Sequence, residues 1–255
     1  MPYCPLLIDL EVAMSSTLLR LHRFLQSHHF YAMVLISLLT CGLLAGRIWR
    51  VHYAAFGFMV WNLFLAWVPY LASLWAVAIL QREPAARWRL LIPATIWLLF
   101  FPNAPYLITD LIHLRERPPV PLWYDGGLLA AFVMSGCFLA VVSLHSMQRL
   151  VRQVVGVWQS WLFALVSIGL SGLGVYLGRV QRWNSWDIFF APQHILNDIW
   201  MLVQFPFDSV HRLALSGVSI VVLLICYVMY LSVYNYSLPK RQLRALRLRR
   251  RLQSE

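Results

Sequence analysis

The stretch Leu90 to Leu114 carries the side chains with the clearest capacity for chemistry. It is long enough to cross a membrane, yet it contains Tyr106, Asp110 and His113. With Arg117 just beyond it, these residues recur at spacings of four, three and four, so they share one face if the helix continues. An ionisable side chain at membrane depth faces a partner or a wet cavity, because a carboxylate is costly in hydrocarbon. Asp110 and His113 are therefore the candidate catalytic residues, and either could act as a general base.

A second stretch, Gly178 to Asp187, supplies cations that could face this carboxylate. Arg179 and Arg182 could pair with Asp110, or hold a phosphate or carboxylate of a substrate through their planar guanidinium groups. Simple contact with lipid phosphates is the alternative role. The other candidate substrate-binding residues are Asn62, Asn103, Tyr106, Asn184 and Asp187. For Asn62, an interhelical hydrogen bond is the plainer role.

Two prolines predict that the helix carrying Asp110 is broken at Pro102 to Pro105. Each proline lacks an N–H and clashes with the preceding helical turn. Asn103 would then cap a second half that runs from Tyr106 to Leu114.

The elements that must position these residues are membrane-spanning helices. The chain has 255 residues, of which 60% are hydrophobic and only 12% charged, and this profile is typical of a membrane protein. We predict an all-α, polytopic membrane helix bundle of about six transmembrane helices with added amphipathic interfacial helices. The predicted spans are Phe30 to Gly46, Ala54 to Leu80, the broken Leu90 to Leu114, Gly126 to His145, Trp158 to Val180, and Leu213 to Tyr236.

The spans divide the chain into three parts. Residues 1–29 form an N-terminal amphipathic cytoplasmic segment, 30–236 the transmembrane domain, and 237–255 a basic cytoplasmic tail. The net charge of +11 owes much to the tail, and we find no nucleic-acid-binding motif. Outside the tail, Lys and Arg are equally divided between the two faces, so the tail decides the orientation with both termini cytoplasmic. Membrane lipids are the expected partners of this tail.

The loop after the fifth span is too long for a simple connection. It predicts a short helix, Pro192 to Gln204, that lies on the outer leaflet or caps the bundle. In the fifth span, Ser167, Ser171, Gly174 and Gly178 form a small-residue stripe that favours close helix packing, within the chain or in a homo-oligomer. The four cysteines lack metal-ligand spacing, and neither a metal site nor a cofactor is expected.

Three motifs together resemble one family of small multi-pass bacterial membrane proteins, domain-of-unknown-function family 1361. They are FLAWVPY at Phe64 to Tyr70, FPNAPYLITDLIHL at Phe101 to Leu114, and LGR with RWNSWD within Leu177 to Asp187. The similarity covers roughly Asn62 to Tyr236. The resemblance implies a protein of the bacterial plasma (inner) membrane, and it implies no established activity.

Three functions therefore remain open on the residues alone. The chain could be a membrane-embedded enzyme acting on a lipid-linked or anionic substrate, with Asp110 or His113 as base and the arginines holding the anion. It could be a carrier for a small anion or lipid, because a broken helix can present an N-terminus to an anion. It could also be a structural or scaffold subunit whose polar residues satisfy one another.

Overall fold

The computed structural model describes residues 17–183, 185–204 and 210–252. These residues form an all-helical bundle, and the only β-type pairing among them is an isolated bridge between Arg117 and Val120. The helices are α1 (17–27), α2 (Phe30–Val51), α3 (Phe58–Arg82), α4 (Leu91–Phe100), α5 (Asn103–Thr109), α6 (Leu122–Val154), α7 (Val157–Arg179), α8 (Asp187–Phe190), α9 (Pro192–Gln204) and α10 (Val210–Leu252).

Six segments of the described chain are long and apolar enough to cross a membrane, which confirms the predicted architecture. They are Phe30–Val51, Phe58–Arg82, Arg87–His113, Leu122–Val154, Val157–Arg179 and Leu213–Tyr234. Three helices run well beyond the predicted apolar spans, and one of them, α10, extends from Val210 to Leu252. α2 continues past Gly46 to Val51, and α6 begins at Leu122 and ends at Val154.

α6 is the central helix of the bundle. Its most apolar stretch is 67% buried, compared with 22% for α2 and 44% for α3. It packs against α2, α3, α5, α7 and α10, so its side chains contribute to most of the core. Phe132, Leu129 and Leu144 are among its fully buried residues. The other spans surround α6 and expose their outer faces, as lipid-facing helices do.

The predicted interruption of the third span is present, and it lies at its first proline. Helix α4 ends at Phe100, Phe101 and Pro102 form a turn, and α5 begins at Asn103. Because Pro102 keeps helical dihedral angles, φ −61° and ψ −22°, the chain is redirected without unwinding. The second half is consequently α5 followed by a 3-10 turn, Asp110–His113, and does not begin at Tyr106.

The predicted capping role of Asn103 is wrong. Pro102 occupies the cap position and no side chain caps α5. Asn103 instead lies in the first turn, and its Nδ2 donates hydrogen bonds to the Phe100 carbonyl and to Ser185 Oγ, both at 3.0 Å. A helix that resumes immediately after the first proline leaves Asn103 too far along the chain to act as its cap.

Glycines let the redirected segment approach its neighbours closely. A Cβ on Gly174 would lie 2.5 Å from Pro102 Cβ and Cγ, and one on Gly136 would lie 2.6 Å from the Ala104 carbonyl oxygen. Part of the small-residue stripe of α7 therefore packs against α5 of the same chain. A homo-oligomer through such faces stays a prediction.

The bundle has two polar ends. Asp110 lies at one of them, near the start of α3 and α6, and Arg149 lies at the other, near the end of both helices. We call these the Asp110 end and the Arg149 end. Asn62 and Gln81 of α3 mark the two ends, and the helical rise from position 62 to position 81 is about 28 Å.

Candidate functional site

The site at the Asp110 end is built around one buried carboxylate. Asp110 is fully buried, and both of its oxygens have partners: Asn62 Nδ2 donates to Oδ2 at 3.0 Å, and Arg179 Nη2 donates to Oδ1 in a short ion pair. Since Asn62 lies on α3, Asp110 after α5 and Arg179 on α7, the cluster connects three spans. Pairing of Arg179 with Asp110 is one of the arrangements that the sequence predicted.

Arg179 is held on every side by this cluster. Its Nε and Nη2 donate to Thr109 Oγ1 at 2.9 and 2.6 Å, and its Nη1 lies 3.3 Å from His113 Nε2. The guanidinium carbon also lies 4.3 Å from the centre of the Tyr106 ring, a cation–π distance. Tyr106, Asp110 and His113 thus converge on one arginine, as their shared helical face predicted.

The local sequence explains how Arg179 reaches this position. Gly178 lies against the Tyr106 ring, where an added Cβ would be 3.3 Å from Cε2. Without a side chain at 178, the end of α7 can lie flat on α5 and direct Arg179 under the ring. Thr109 is a site residue that the sequence analysis missed. Its position directly before Asp110 could have indicated that its hydroxyl lies near the same arginine.

A cavity of about 500 Å³ opens beside this cluster. Its polar wall includes Asn62, Asn103, Tyr106 and Arg182, while leucines of α3, α4 and α7 form an apolar wall. Asp110, His113 and Arg179 are not part of the lining. Asn62 and Tyr106 therefore connect the two features, because each contacts the ion-pair cluster and also faces the cavity.

The segment after α7 closes one side of the cavity. Arg182 is exposed and has a left-handed backbone, φ 63°, which lets the chain turn sharply. Trp183 Nε1 then donates to Asp198 Oδ2 at 2.7 Å, so this segment is fixed to α9. α9 has the predicted bounds, and Ile195 and Ile199 line the cavity, which favours the capping position of its two predicted placements.

The remaining predicted site residues are distributed as follows. Asp187 lies in the first turn of the short helix α8 and does not line the cavity. Asn184 lies outside the described residues. Arg182 lines the cavity but forms no ion pair with Asp110, whose cation partner is Arg179.

A second buried ion pair at the same end was not predicted. Arg47 Nε and Nη2 donate to the two oxygens of Asp125 at 2.6 and 3.0 Å, and the side chains are 2% and 1% exposed. Arg47 and Arg117 also stack on Phe56, with guanidinium carbons 4.8 and 4.6 Å from the ring centre. The sequence did contain an indication of this pair, because the first predicted span is unusually short. Extending that span by one helical turn places Arg47 within the bundle.

Metal coordination is not indicated in the part of the chain that the structure describes. Those residues contain no group of three or more His, Cys, Asp or Glu side chains arranged to hold an ion. The Asp110 end instead presents hydrogen-bond donors and guanidinium groups, which recognise oxyanions.

Comparisons with known proteins place the chain in a family. The model of the family described as "Protein of unknown function (DUF1361)" matches residues 61–233, which include all three motifs noted in the sequence. No curated protein and no solved structure matches the chain. The match covers more than half of the chain and extends from the start of α3 into the last span. The chain therefore belongs to domain-of-unknown-function family 1361.

Proposed function

We propose that this multi-pass membrane protein binds an amphipathic anionic molecule, such as a lipid-linked substrate, in the cavity at the Asp110 end. The observation that carries the proposal is the composition of the cavity wall. Arg182 and the amide of Asn103 lie at its polar side, and Leu65, Leu98 and Leu173 form the apolar side. An acyl or prenyl chain suits the leucines, and a phosphate or carboxylate head suits the guanidinium of Arg182.

The Asp110 cluster supports this site from behind. Arg179 and Asp110 neutralise each other, and in doing so they orient two side chains that face the cavity, Asn62 by a hydrogen bond and Tyr106 by the cation–π contact. Binding sites depend on such supporting contacts, because a loosely held donor loses geometric precision. Asp110 acts in this proposal as a positioning residue.

Catalysis by Asp110 or His113 stays a prediction. A general base must come within hydrogen-bond reach of the proton that it removes. Asp110 is fully buried with both oxygens engaged, and neither it nor His113 lines the cavity. The proposal is accordingly limited to binding.

The second candidate function is a scaffold subunit, and the saturation of Asp110 favours it. Each of the two buried ion pairs joins different spans, Arg179 with Asp110 and Arg47 with Asp125. Such pairs can fix helix register without any ligand. A scaffold needs no cation in the cavity wall, so Arg182 separates the two candidates.

We also propose the bacterial plasma membrane as the location, with both termini cytoplasmic and the Asp110 end outside. The basic tail supports this orientation, since α10 runs on past the last span at the Arg149 end. Arg47 and Arg179, which sequence counting assigns to the outer face, lie inside the bundle as ion-pair partners, and this lowers the positive charge of that face.

The test compares two single-charge variants, Arg182→Gln and Arg115→Gln. Arg115 is an exposed arginine at the same end that does not line the cavity, so it is the matched control. Purified protein is titrated with phosphatidylglycerol or phosphatidylcholine in mixed micelles, and bound lipid is measured by native mass spectrometry. We expect preferential retention of the anionic lipid by wild type and Arg115→Gln, and at least about a tenfold loss in Arg182→Gln. If both variants retain the anionic lipid equally, the binding proposal is refuted and the scaffold role is favoured.

A further inference from the structure

A second polar cavity lies at the Arg149 end, about 28 Å along α3 from the Asp110 cluster. Its volume is about 230 Å³, and its walls come from the α1–α2 turn, the end of α3 and the end of α6. Arg149 lines it together with Gln81, Gln153, His28 and Ser146. A space of this size holds about seven waters or one small oxyanion.

Arg149 is a cation without a carboxylate partner among the described residues. The ion pairs in that part of the chain involve Arg47, Arg89 and Arg179 only. Arg149 Nη1 donates to Tyr234 Oη at 3.2 Å, and its buried Nε has no hydrogen-bond partner in the described chain. An unpaired buried donor on a charged group is costly, and native proteins rarely leave one unexplained.

The surroundings add positive charge and almost no negative charge. Arg82 and Arg152 are exposed next to Gln81 and Gln153, and the basic tail begins where α10 leaves this end. Glu83 is the only carboxylate of the described residues at this end, and it is half exposed and paired with Arg89. The field at the cavity is therefore positive, which favours anions over cations.

The donors that line the cavity match a phosphate group. Arg149 offers a planar guanidinium fork, and Gln81 and Gln153 offer amide N–H groups at the exposed rim. His28 is fixed as one wall, because its ring nitrogen Nδ1 lies 2.7 Å from the Phe24 carbonyl oxygen and its own carbonyl accepts from Tyr70 Oη at 2.9 Å. Two independent helices and the turn therefore hold the site in a fixed shape.

We infer that this cavity is a binding site for a phosphate group, in which the Arg149 guanidinium is the main donor. The site is separate from the cavity at the Asp110 end and does not depend on the function proposed there. The phosphate comes from a soluble phosphorylated molecule or from the headgroup of a lipid in the same leaflet, and both sources present the same oxyanion.

The experiment measures binding to the full-length protein in a neutral detergent. Inorganic phosphate is titrated against chloride at matched ionic strength, and phosphatidylglycerol is titrated against phosphatidylcholine, with thermal unfolding as the readout. We expect a saturable rise in the unfolding temperature with phosphate or with phosphatidylglycerol. A response to phosphate that Arg149→Gln loses identifies a soluble ligand at this cavity. A response to phosphatidylglycerol alone, lost in Arg149→Gln and kept in Arg182→Gln, identifies a headgroup at this cavity.

Two variants with the same charge change test the residue assignment. Arg149→Gln should weaken the apparent affinity at least about tenfold. Arg152→Gln, three residues further along α6 and outside the cavity lining, should leave it within about twofold. Gln81→Leu, at the exposed rim, should also weaken phosphate binding. This variant tests the site if Arg149→Gln does not fold.

Three results would overturn the inference. One is the absence of any specific response to phosphate or phosphatidylglycerol in wild type, and another is an equal loss in Arg149→Gln and Arg152→Gln. The third concerns Asp9 and Glu11, which lie outside the described residues. If Asp9→Asn with Glu11→Gln creates phosphate binding that wild type lacks, then the chain fills the site with its own carboxylate.

Discussion

Replacing Arg179 by glutamine should strongly destabilise the bundle. The change leaves the Asp110 carboxylate fully buried with Asn62 as its remaining side-chain donor. Removing one partner of a buried ion pair costs about 3–5 kcal/mol, because the other charge stays desolvated. For a chain of this size, that loss corresponds to a fall of about 6–20 °C in unfolding temperature.

The converse change, Asp110→Asn, should cost less. Arg179 is 15% exposed, whereas Asp110 has no exposure, so the arginine left alone still reaches water. It also keeps its contacts with Thr109 and the Tyr106 ring. Combining both changes removes the two charges together, and the double variant should recover part of the stability that Arg179→Gln loses.

The assay is thermal unfolding of the purified variants in detergent, followed by tryptophan fluorescence, together with lipid binding at the cavity. Arg47→Gln is the matched control, because it breaks the other buried ion pair at the same end without touching the cavity lining. Arg179→Gln and Arg47→Gln should both lower the unfolding temperature, but only Arg179→Gln should also weaken lipid binding. A loss below about 1 kcal/mol, or a double variant with simply additive losses, would refute the idea of a desolvated, coupled pair.

Three further outcomes follow from other contacts. Gly174→Ala places a methyl group 2.5 Å from Pro102 and should cost about 1–3 kcal/mol in unfolding assays, whereas Gly169→Ala on the same helix meets open space and should be nearly neutral. Burial lowers the pKa of His28 below its usual 6.5, and the Arg149 and His29 charges act in the same direction while the Phe24 carbonyl opposes them. The folded protein therefore takes up a proton at His28 less readily than the unfolded chain does, so the stability that depends on the neutral ring is complete above pH 6.5 and is lost as the pH falls toward the lower folded-state pKa. Unfolding measured against pH should show this loss, and the dependence should flatten in His28→Gln. A periplasmic reporter should be active in the 114–121 connection and inactive after the tail, and the opposite pattern would reverse the proposed orientation.

The membrane architecture followed from the sequence because apolar run length reports helix length directly. The helical face of Tyr106, Asp110 and His113 was also predictable, since Pro102 redirects the helix without unwinding it, and residues three apart stay on one face in the 3-10 turn that follows. That face then needed one cation, and Arg179 comes directly after Gly178, the last residue of the small-residue stripe of α7.

Other features depend on contacts that periodicity cannot report. The pairing of Arg47 with Asp125 joins residues 78 positions apart, and an arginine at the end of an apolar run is normally a loop residue. Arg117 was expected on the face of Asp110 if the helix continued. The chain becomes extended at Leu114, with φ −66° and ψ 110°, and Arg117 stacks on Phe56 instead.

The distribution of arginines argues that anions are the ligands at both ends. A fold that needed only helix register would be about as stable with apolar side chains in place of buried ion pairs. Here two arginines, Arg47 and Arg179, are neutralised by carboxylates, whereas Arg149 and Arg182 line cavities and have no carboxylate partner among the described residues. Positive charge beside a cavity weakens the isolated bundle and becomes favourable only when an anion enters. If the protein is ligand-binding at both ends, a phosphate-bearing ligand should raise the unfolding temperature, and Arg149→Gln and Arg182→Gln should each remove the effect at one end only. A scaffold role predicts no such rise.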